Sequence, residues 1–358
     1  MKIIFSGGGT LGPVTPLLAM KEIFEQKYPD AQFVWIGTKL GPEKELVEKQ
    51  GIRFIPLAGG KFRRYFSVLN VLDVFRILRG FFQSLKILWK ENPDICISAG
   101  GFISVPVHCA AALLAIPTWI HQQDIRVGLA NRLMSPLAST VTVAVKEQWK
   151  KFSYKKTFWL GNPIRQDLFL GNMQKARELF GIHSTLPVVF ATGGGTGSLK
   201  VNQMVVEALP HLEGICEVVH LSGKERSHDL TNRASMHSRF YHTYEFFTSE
   251  MKHAYALAEV VISRGGFGTL TELAALKKCA ILVPKPGHQE ENVQFLRQTN
   301  SAIMLDERND NGLVLAGKIK ELLADHMTRD MFANNLNALL PPARPQKVLE
   351  ILEKSIQK

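Results

Sequence analysis

Phosphate chemistry is what the residues first suggest. Glycine clusters follow short apolar runs four times, at 7–12, 100–101, 193–197 and 265–268. A glycine loop at a strand end brings bare backbone N–H groups against an anion, and the helix that follows adds its positive end. Tight turns need glycine too, so one cluster is a weak sign; four in equivalent positions are a stronger one. The 7–12 loop has GxGxxG spacing, but the next expected strand, 32–37, brings no acidic residue; 193–197 lacks the spacing, and GxxxxGK[ST] is absent. Repeated cradles of neither kind point to a nucleotide-sugar or other diphosphate ligand. No acidic pair of the DxD kind stands near these loops, so the sequence requires no metal and no cofactor.

The loops need elements to hold them, and the apolar pattern supplies these. KIIF (2–5), QFVWIG (32–37), RFIPL (53–57), DICISAG (94–100), TWIHQ (118–122) and TVTVA (140–144) read as short buried strands. Helical stretches lie between them near 14–27, 42–50, 106–115 and 126–136. After the connector LGNPIR (160–165) the pattern restarts, with strands in 187–198, 216–223, 241–247, 260–266, 280–285 and 301–306. Alternating buried strands and helices predict mainly parallel, doubly wound sheets. The fold class expected is α/β, two Rossmann-like domains facing a cleft. Residues 1–160 form the first domain, 161–340 the second, and 341–358 a terminal helix packing back toward the first.

Composition narrows the partners. The 358 residues carry a net charge of +11, which asks for an acidic partner, yet no nucleic-acid-binding module is visible. Much of the charge sits in 61–90, KFRRYFSVLNVLDVFRILRGFFQSLKILWK, where large apolar residues recur at helical spacing between arginines and lysines. Two readings stay open: an amphipathic helix packing on a sheet, or a surface resting on an anionic membrane. Four scattered cysteines without a CxxC pair fit a reducing compartment. The N-terminal apolar run, about five residues before the glycines, is too short for a signal peptide. The stretch 102–120 is interrupted by two prolines and a histidine, and reads as a buried helix followed by a buried strand. A soluble or peripheral protein is expected.

Several stretches carry a specific resemblance. GGTLGPVTP (8–16), SAGGFISVP (98–106), IPTWIHQQDIRVGLANR (116–132), GNPIR (161–165), GGGTGS (193–198), SRGGFGTLTELAA (263–275) and HQEEN (288–292) follow one another nearly end to end. Together they resemble the MurG family, which transfers N-acetylglucosamine from its UDP conjugate to undecaprenyl-diphospho-muramyl-pentapeptide. The resemblance implies a GT-B glycosyltransferase that inverts the anomeric centre, needs no metal, and works peripherally at the cytoplasmic face of the membrane. The donor UDP-N-acetylglucosamine, the undecaprenyl-diphosphate-linked acceptor and the membrane surface are the partners it implies.

It also implies roles for residues. Phe267, Gly268, Thr269, Leu270 and Thr271 offer backbone N–H groups to the UDP phosphates. Glu272 accepts from the ribose hydroxyls, or, more plainly, satisfies the helix dipole. Arg165 and Arg264 bind diphosphate charge, Gly195 and Thr196 add contacts, and Phe247 lines the uracil pocket or only packs the core. Gln289 and Asn292, at i and i+3, read the sugar hydroxyls; His288 opens that helix. On the acceptor side stand Thr10, Leu11, Gly12, Gly100, Gly101 and Asn131.

Three departures bear on catalysis. Pro13 stands where the family has histidine, His121-Gln122-Gln123-Asp124 where it has HEQN, and GGGTGS where it has GGSQGA. Proline cannot take a proton, so the base must lie elsewhere. His108 and Asp124 are the candidates, and Asp124 is equally placed to contact the donor sugar. A transferase with another acceptor, a UDP-sugar 2-epimerase and a catalytically silent UDP-sugar binder remain the alternatives.

Overall fold

The computed structural model describes residues 1–58, 69–194, 197–224 and 229–357, with the side chains of 69–75 and 237 left out. Gly195, Thr196 and the first part of the basic stretch, 61–68, therefore lie outside the described residues. The chain divides into two units: Met1–Arg165 with Pro342–Lys358, and Gln166–Pro341.

Unit 1 alternates β1 (Lys2–Ser6), α1 (Thr15–Lys27), β2 (Gln32–Thr38), α2 (Glu43–Lys49), β3 (Arg53–Leu57), α3 (Leu69–Glu91), β4 (Ile95–Ser98), α4 (Ser104–Leu113), β5 (Thr118–Gln122), α5 (Leu129–Met134), β6 (Thr140–Val143) and β7 (Thr157–Trp159). Its strands are all parallel, in the order β3-β2-β1-β4-β5-β6-β7. Both faces are covered, so successive strand residues enter different cores. Ile3, Phe5, Ile95 and Ile97 pack with Leu17, Met20, Phe24 and Trp119. Ile4 and Cys96 pack on the other face with Leu88, Val107 and Ala110. Pro56 is tolerated because β3 is an edge strand.

Unit 2 carries α6 (Met173–Phe180), β8 (Val188–Thr192), α7 (Leu199–Leu212), β9 (Glu217–Leu221), α8 (Asp229–His237), β10 (Tyr241–Tyr244), α9 (Met251–Leu257), β11 (Val260–Ser263), α10 (Phe267–Ala275), β12 (Cys279–Leu282), α11 (His288–Gln298), β13 (Ile303–Met304), α12 (Gly312–Ala324) and α13 (His326–Leu339). Its parallel sheet runs β10-β9-β8-β11-β12-β13. The chain then returns to unit 1 with α14 (Pro345–Ile356), whose Val348, Ile351 and Leu352 complete the Phe24–Trp119 core. Tyr28 donates to Glu353 Oε1 at 2.6 Å, and the Thr140 and Ser355 hydroxyls meet at 2.8 Å.

The sequence places the boundary at 160/161, and the structure divides at Arg165/Gln166. β7, only three residues long, has no counterpart among the expected strands. The expected strand at 241–247 stops at Tyr244, because Glu245 and Phe246 are exposed and the chain has left the sheet. The stretch 102–120 forms α4 and β5, and no described helix is long and apolar enough to cross a membrane.

Candidate functional site

In each sheet the winding reverses between two neighbouring strands, β1 beside β4 and β8 beside β11. Loops leaving such a pair at their carboxyl ends diverge and leave a crevice. The described glycines of all four clusters are at these ends: those of 7–12 after β1, Gly100 and Gly101 after β4, Gly193 and Gly194 after β8, and those of 265–268 after β11.

In unit 1 the loops after β1 and β4 touch. Gly100 and Gly101 hold φ of +102° and +92°, a region L side chains avoid. A Cβ on Gly101 would press against the Gly8 backbone at 3.3 Å. The Ser104 hydroxyl ties the pair, donating to Ser6 O and Gly100 O at 2.9 Å each. Gln123 donates from Nε2 to Gly12 O at 2.9 Å, which brings the residues after β5 to the first loop. Asn131, buried on α5, donates to His121 O at 3.1 Å and Gln122 Oε1 at 2.8 Å. Three buried atoms around these loops, Ser6 Oγ, Gln123 Oε1 and Asn131 Oδ1, have no hydrogen-bond partner among the described residues. Such atoms cost about 1–3 kcal/mol each unless something meets them, so the site is suited to a polar ligand. Thr10 and Gly12 are exposed beside it, and Leu11 and Gly101 half-buried.

His108 does not fit the role of base. It is 1% exposed, its two ring nitrogens have no hydrogen-bond partner among the described residues, and burial pulls its pKa down to about 3. The sequence places it at a helix start, but Ser104 opens α4, and His108, the fifth residue of that helix, is buried. Asp124 is half-buried two residues after β5, its backbone carbonyl accepting from Gln122 Nε2 at 2.8 Å and from Gln148 Nε2.

In unit 2, α10 begins after the extended Gly266. Its first-turn N–H groups, on Phe267, Gly268 and Thr269, have no intrahelical acceptor. Two of the five expected donors are corrected here. Leu270 N–H bonds Gly266 O at 3.1 Å, and Thr271 lies inside the helix, its hydroxyl donating to Phe267 O and Gly268 O. Asn292 is corrected too: 1% exposed, it donates to Gly265 O at 3.3 Å and so supports the loop. Gln289 is half-buried with Oε1 accepting from Lys285 N, and His288 is exposed at the start of α11. Arg264 pairs with Glu307 at 2.5 Å and donates to Val283 O at 2.9 Å. Arg165 is half-buried at the end of unit 1. Phe247 is buried among Phe180, Tyr244 and Phe190.

Comparison with known proteins agrees with this geometry. The glycosyltransferase family 28 N-terminal domain matches residues 3–143 and its C-terminal domain residues 188–341. The UDP-N-acetylglucosamine–N-acetylmuramyl-(pentapeptide) pyrophosphoryl-undecaprenol N-acetylglucosamine transferase of Clostridium kluyveri is 35% identical, with 99% of each chain covered. The chain belongs to this family, the MurG glycosyltransferases. The Clostridium perfringens SM101 member is 34% identical over 99% of this chain and 98% of its own. Among solved structures, Acinetobacter baumannii MurG superposes with a TM-score of 0.75 at 23% identity, covering 99% of both chains. A UDP-GlcNAc 2-epimerase from Neisseria meningitidis reaches 0.70 at 14%, with 99% and 100% covered, a likeness of fold alone. The fold is therefore GT-B, two Rossmann-like domains.

The MurG-family motifs do not point to Tyr255. From α9 its phenol donates to Glu272 Oε2 at 3.1 Å, while its ring stands edge-on to Phe190 at 5.6 Å. Phe190 in turn stacks on Phe247 at 6.2 Å. One packed run thus joins the expected uracil wall to the expected ribose carboxylate. Glu272→Ala is expected to weaken UDP binding by about 1–3 kcal/mol, the usual effect of losing a charged hydrogen-bond partner. Tyr255→Phe should weaken it in the same direction and by less. Calorimetry reads both, and unchanged affinity in Glu272→Ala would remove that residue from the donor site.

Proposed function

We propose that this chain transfers N-acetylglucosamine, with inversion, from UDP-N-acetylglucosamine to the lipid-linked muramyl-pentapeptide diphosphate of peptidoglycan synthesis. The observation that carries the reading is the end-to-end match to transferases of that activity, 35% identical with 99% of both chains aligned. The muramyl C4 hydroxyl gives its proton to a base, its oxygen bonds the anomeric carbon, and the bond from that carbon to UDP breaks. Unit 2 holds the donor, with the first-turn N–H groups of α10 and Arg264 meeting UDP charge as it develops. Glu272 takes the ribose and Phe247 the uracil side. Unit 1 holds the acceptor diphosphate at Thr10, Leu11, Gly12, Gly100 and Gly101, with Asn131 beside them. Asp124 is the base in this reading. Radiolabelled UDP-N-acetylglucosamine supplied with the lipid-linked acceptor and with control acceptors tests it. Label in the lipid-linked product alone is expected; label in another acceptor only, or epimerisation without transfer, would defeat it.

The acceptor is bound to a bilayer, so a membrane-facing surface belongs to the same proposal. On α3, Arg79, Phe82, Lys86, Trp89 and Lys90 share one exposed stripe, while Gly80, Ser84 and Leu88 turn inward. Phe82 is 66% and Trp89 80% exposed, a large apolar area for a soluble surface. Aromatic rings set among cations match an anionic interface. Phe82→Ser with Trp89→Ser is expected to lower binding to vesicles containing anionic lipid about tenfold or more. Replacing Arg79, Lys86 and Lys90 should flatten the salt dependence. Vesicle binding indifferent to both sets would return α3 to ordinary packing.

A further inference from the structure

Behind the first glycine loop stands a buried carboxylate that none of the motifs includes. Glu43 opens α2 and is 0% exposed. Its Oε2 accepts from Gly9 N–H at 3.2 Å. Its Oε1 accepts from Thr38 N–H at 2.7 Å and from the Thr38 hydroxyl. The socket is made of absent side chains: a Cβ at Gly8 would overlap Oε1, one at Gly41 would overlap Oε2, and one at Gly37 would sit 3.2 Å from Oε1. Gly8 is therefore glycine to admit this carboxylate, whatever the loop binds on its other side.

Burying a carboxylate is costly unless its oxygens are met by donors, as they are here. Its charge cannot be there to attract the ligand, because it stands behind a loop expected to meet a diphosphate and would repel one. What it contributes is geometry. Gly9, with φ +82°, is held from behind by Glu43 and bounded by Phe102, whose ring a Cβ at Gly9 would meet at 2.8 Å. Thr10, Leu11 and Gly12 continue directly from that fixed point.

We propose that Glu43 is a positioning residue: its carboxylate fixes the first glycine loop in the shape that receives the acceptor. The proposal rests on the reading of that loop as the acceptor side. Glu43→Gln keeps the size but turns an amide N–H toward a backbone N–H, so one donor loses its acceptor. The two possible roles then differ in sign. A carboxylate acting through charge would, once neutralised, tighten the acceptor; one acting through geometry would, once altered, loosen it.

The test measures transfer kinetics for the full chain, Glu43→Gln and Gly8→Ala, with UDP affinity and stoichiometry by calorimetry and amide exchange over residues 7–12. In Glu43→Gln the acceptor KM is expected to rise about five- to fiftyfold, with UDP affinity and stoichiometry kept and exchange at 7–12 faster. Gly8→Ala, whose φ suits alanine, should do the same by pushing the carboxylate out. A merely structural role would lower the active fraction, and hence the UDP stoichiometry, without moving KM. Thr38→Val, which deletes one hydroxyl and no charge, should show a smaller rise in the same direction if the other two fail to fold. An unchanged or lowered acceptor KM overturns the proposal. Wild-type chain that transfers nothing to the lipid-linked acceptor overturns the acceptor reading itself, and unaltered exchange at 7–12 then overturns Glu43's hold on the loop separately.

Discussion

Asp124→Asn is expected to lower kcat by about 10²–10⁴-fold while UDP affinity stays unchanged. Pro13 carries no titratable group, and His108 is walled off in the core with its pKa drawn down to about 3. Asp124 is the candidate left. It directly follows Gln123, whose side chain is bonded to Gly12 O one residue before Pro13, so its backbone is held near the first loop. Asparagine keeps the shape and the capacity to hydrogen-bond but removes the basicity. A role in binding the donor sugar would raise the donor KM and spare kcat. Initial rates with each substrate varied separate the two, and wild-type kcat in the variant would place the base elsewhere.

Unit 1 is expected to lose about 4 kcal/mol of stability between pH 7.5 and pH 5, and unit 2 about half that. His108 and His121 in unit 1 and His220 in unit 2 are buried and neutral, burial drawing their pKa values down to about 3, 4 and 3. An unfolded histidine titrates near 6.5, so the unfolded chain takes up protons first as the pH falls. The stability these groups contribute is complete above about pH 6.5 and is lost on descent toward their folded values, about 2 kcal/mol each by pH 5. That is a large fraction of a domain's usual total. All five tryptophans (35, 89, 119, 149 and 159) belong to unit 1, so their fluorescence in urea reads that unit alone. His108→Leu, which removes the buried imidazole, should reduce the acid loss by about 2 kcal/mol and leave turnover intact. A tryptophan transition as stable at pH 5 as at pH 7.5 would contradict this.

Strand-end glycines and buried apolar runs made the two sheets legible, since each strand announces itself within five or six residues. His108 was misplaced for a physical reason. Its helix, SVPVHCAAAL, is apolar nearly all round, so periodicity gives no inward or outward direction. The i, i+3 spacing of Gln289 and Asn292 names a face without saying that Asn292 already serves Gly265 O, and the motif around Leu270 does not say that its N–H is already taken by Gly266 O. Glu43 was invisible in a deeper sense. Its socket joins glycines 8, 37 and 41, and only the pairing of β1 with β2 brings them together. Tyr255 and Glu272, 17 residues apart on different helices, meet for the same kind of reason.

The return of the chain to unit 1 sets the order of its birth. Everything from Gln166 to Pro341 must be synthesised before α14 exists, a delay of roughly 10–35 seconds at about 5–20 residues per second. During that delay the Phe24–Trp119 face lacks the helix that later covers it with Val348, Ile351 and Leu352. Unit 1, begun before unit 2, is therefore completed after it, and the nascent chain carries an open apolar seam until α14 has been made.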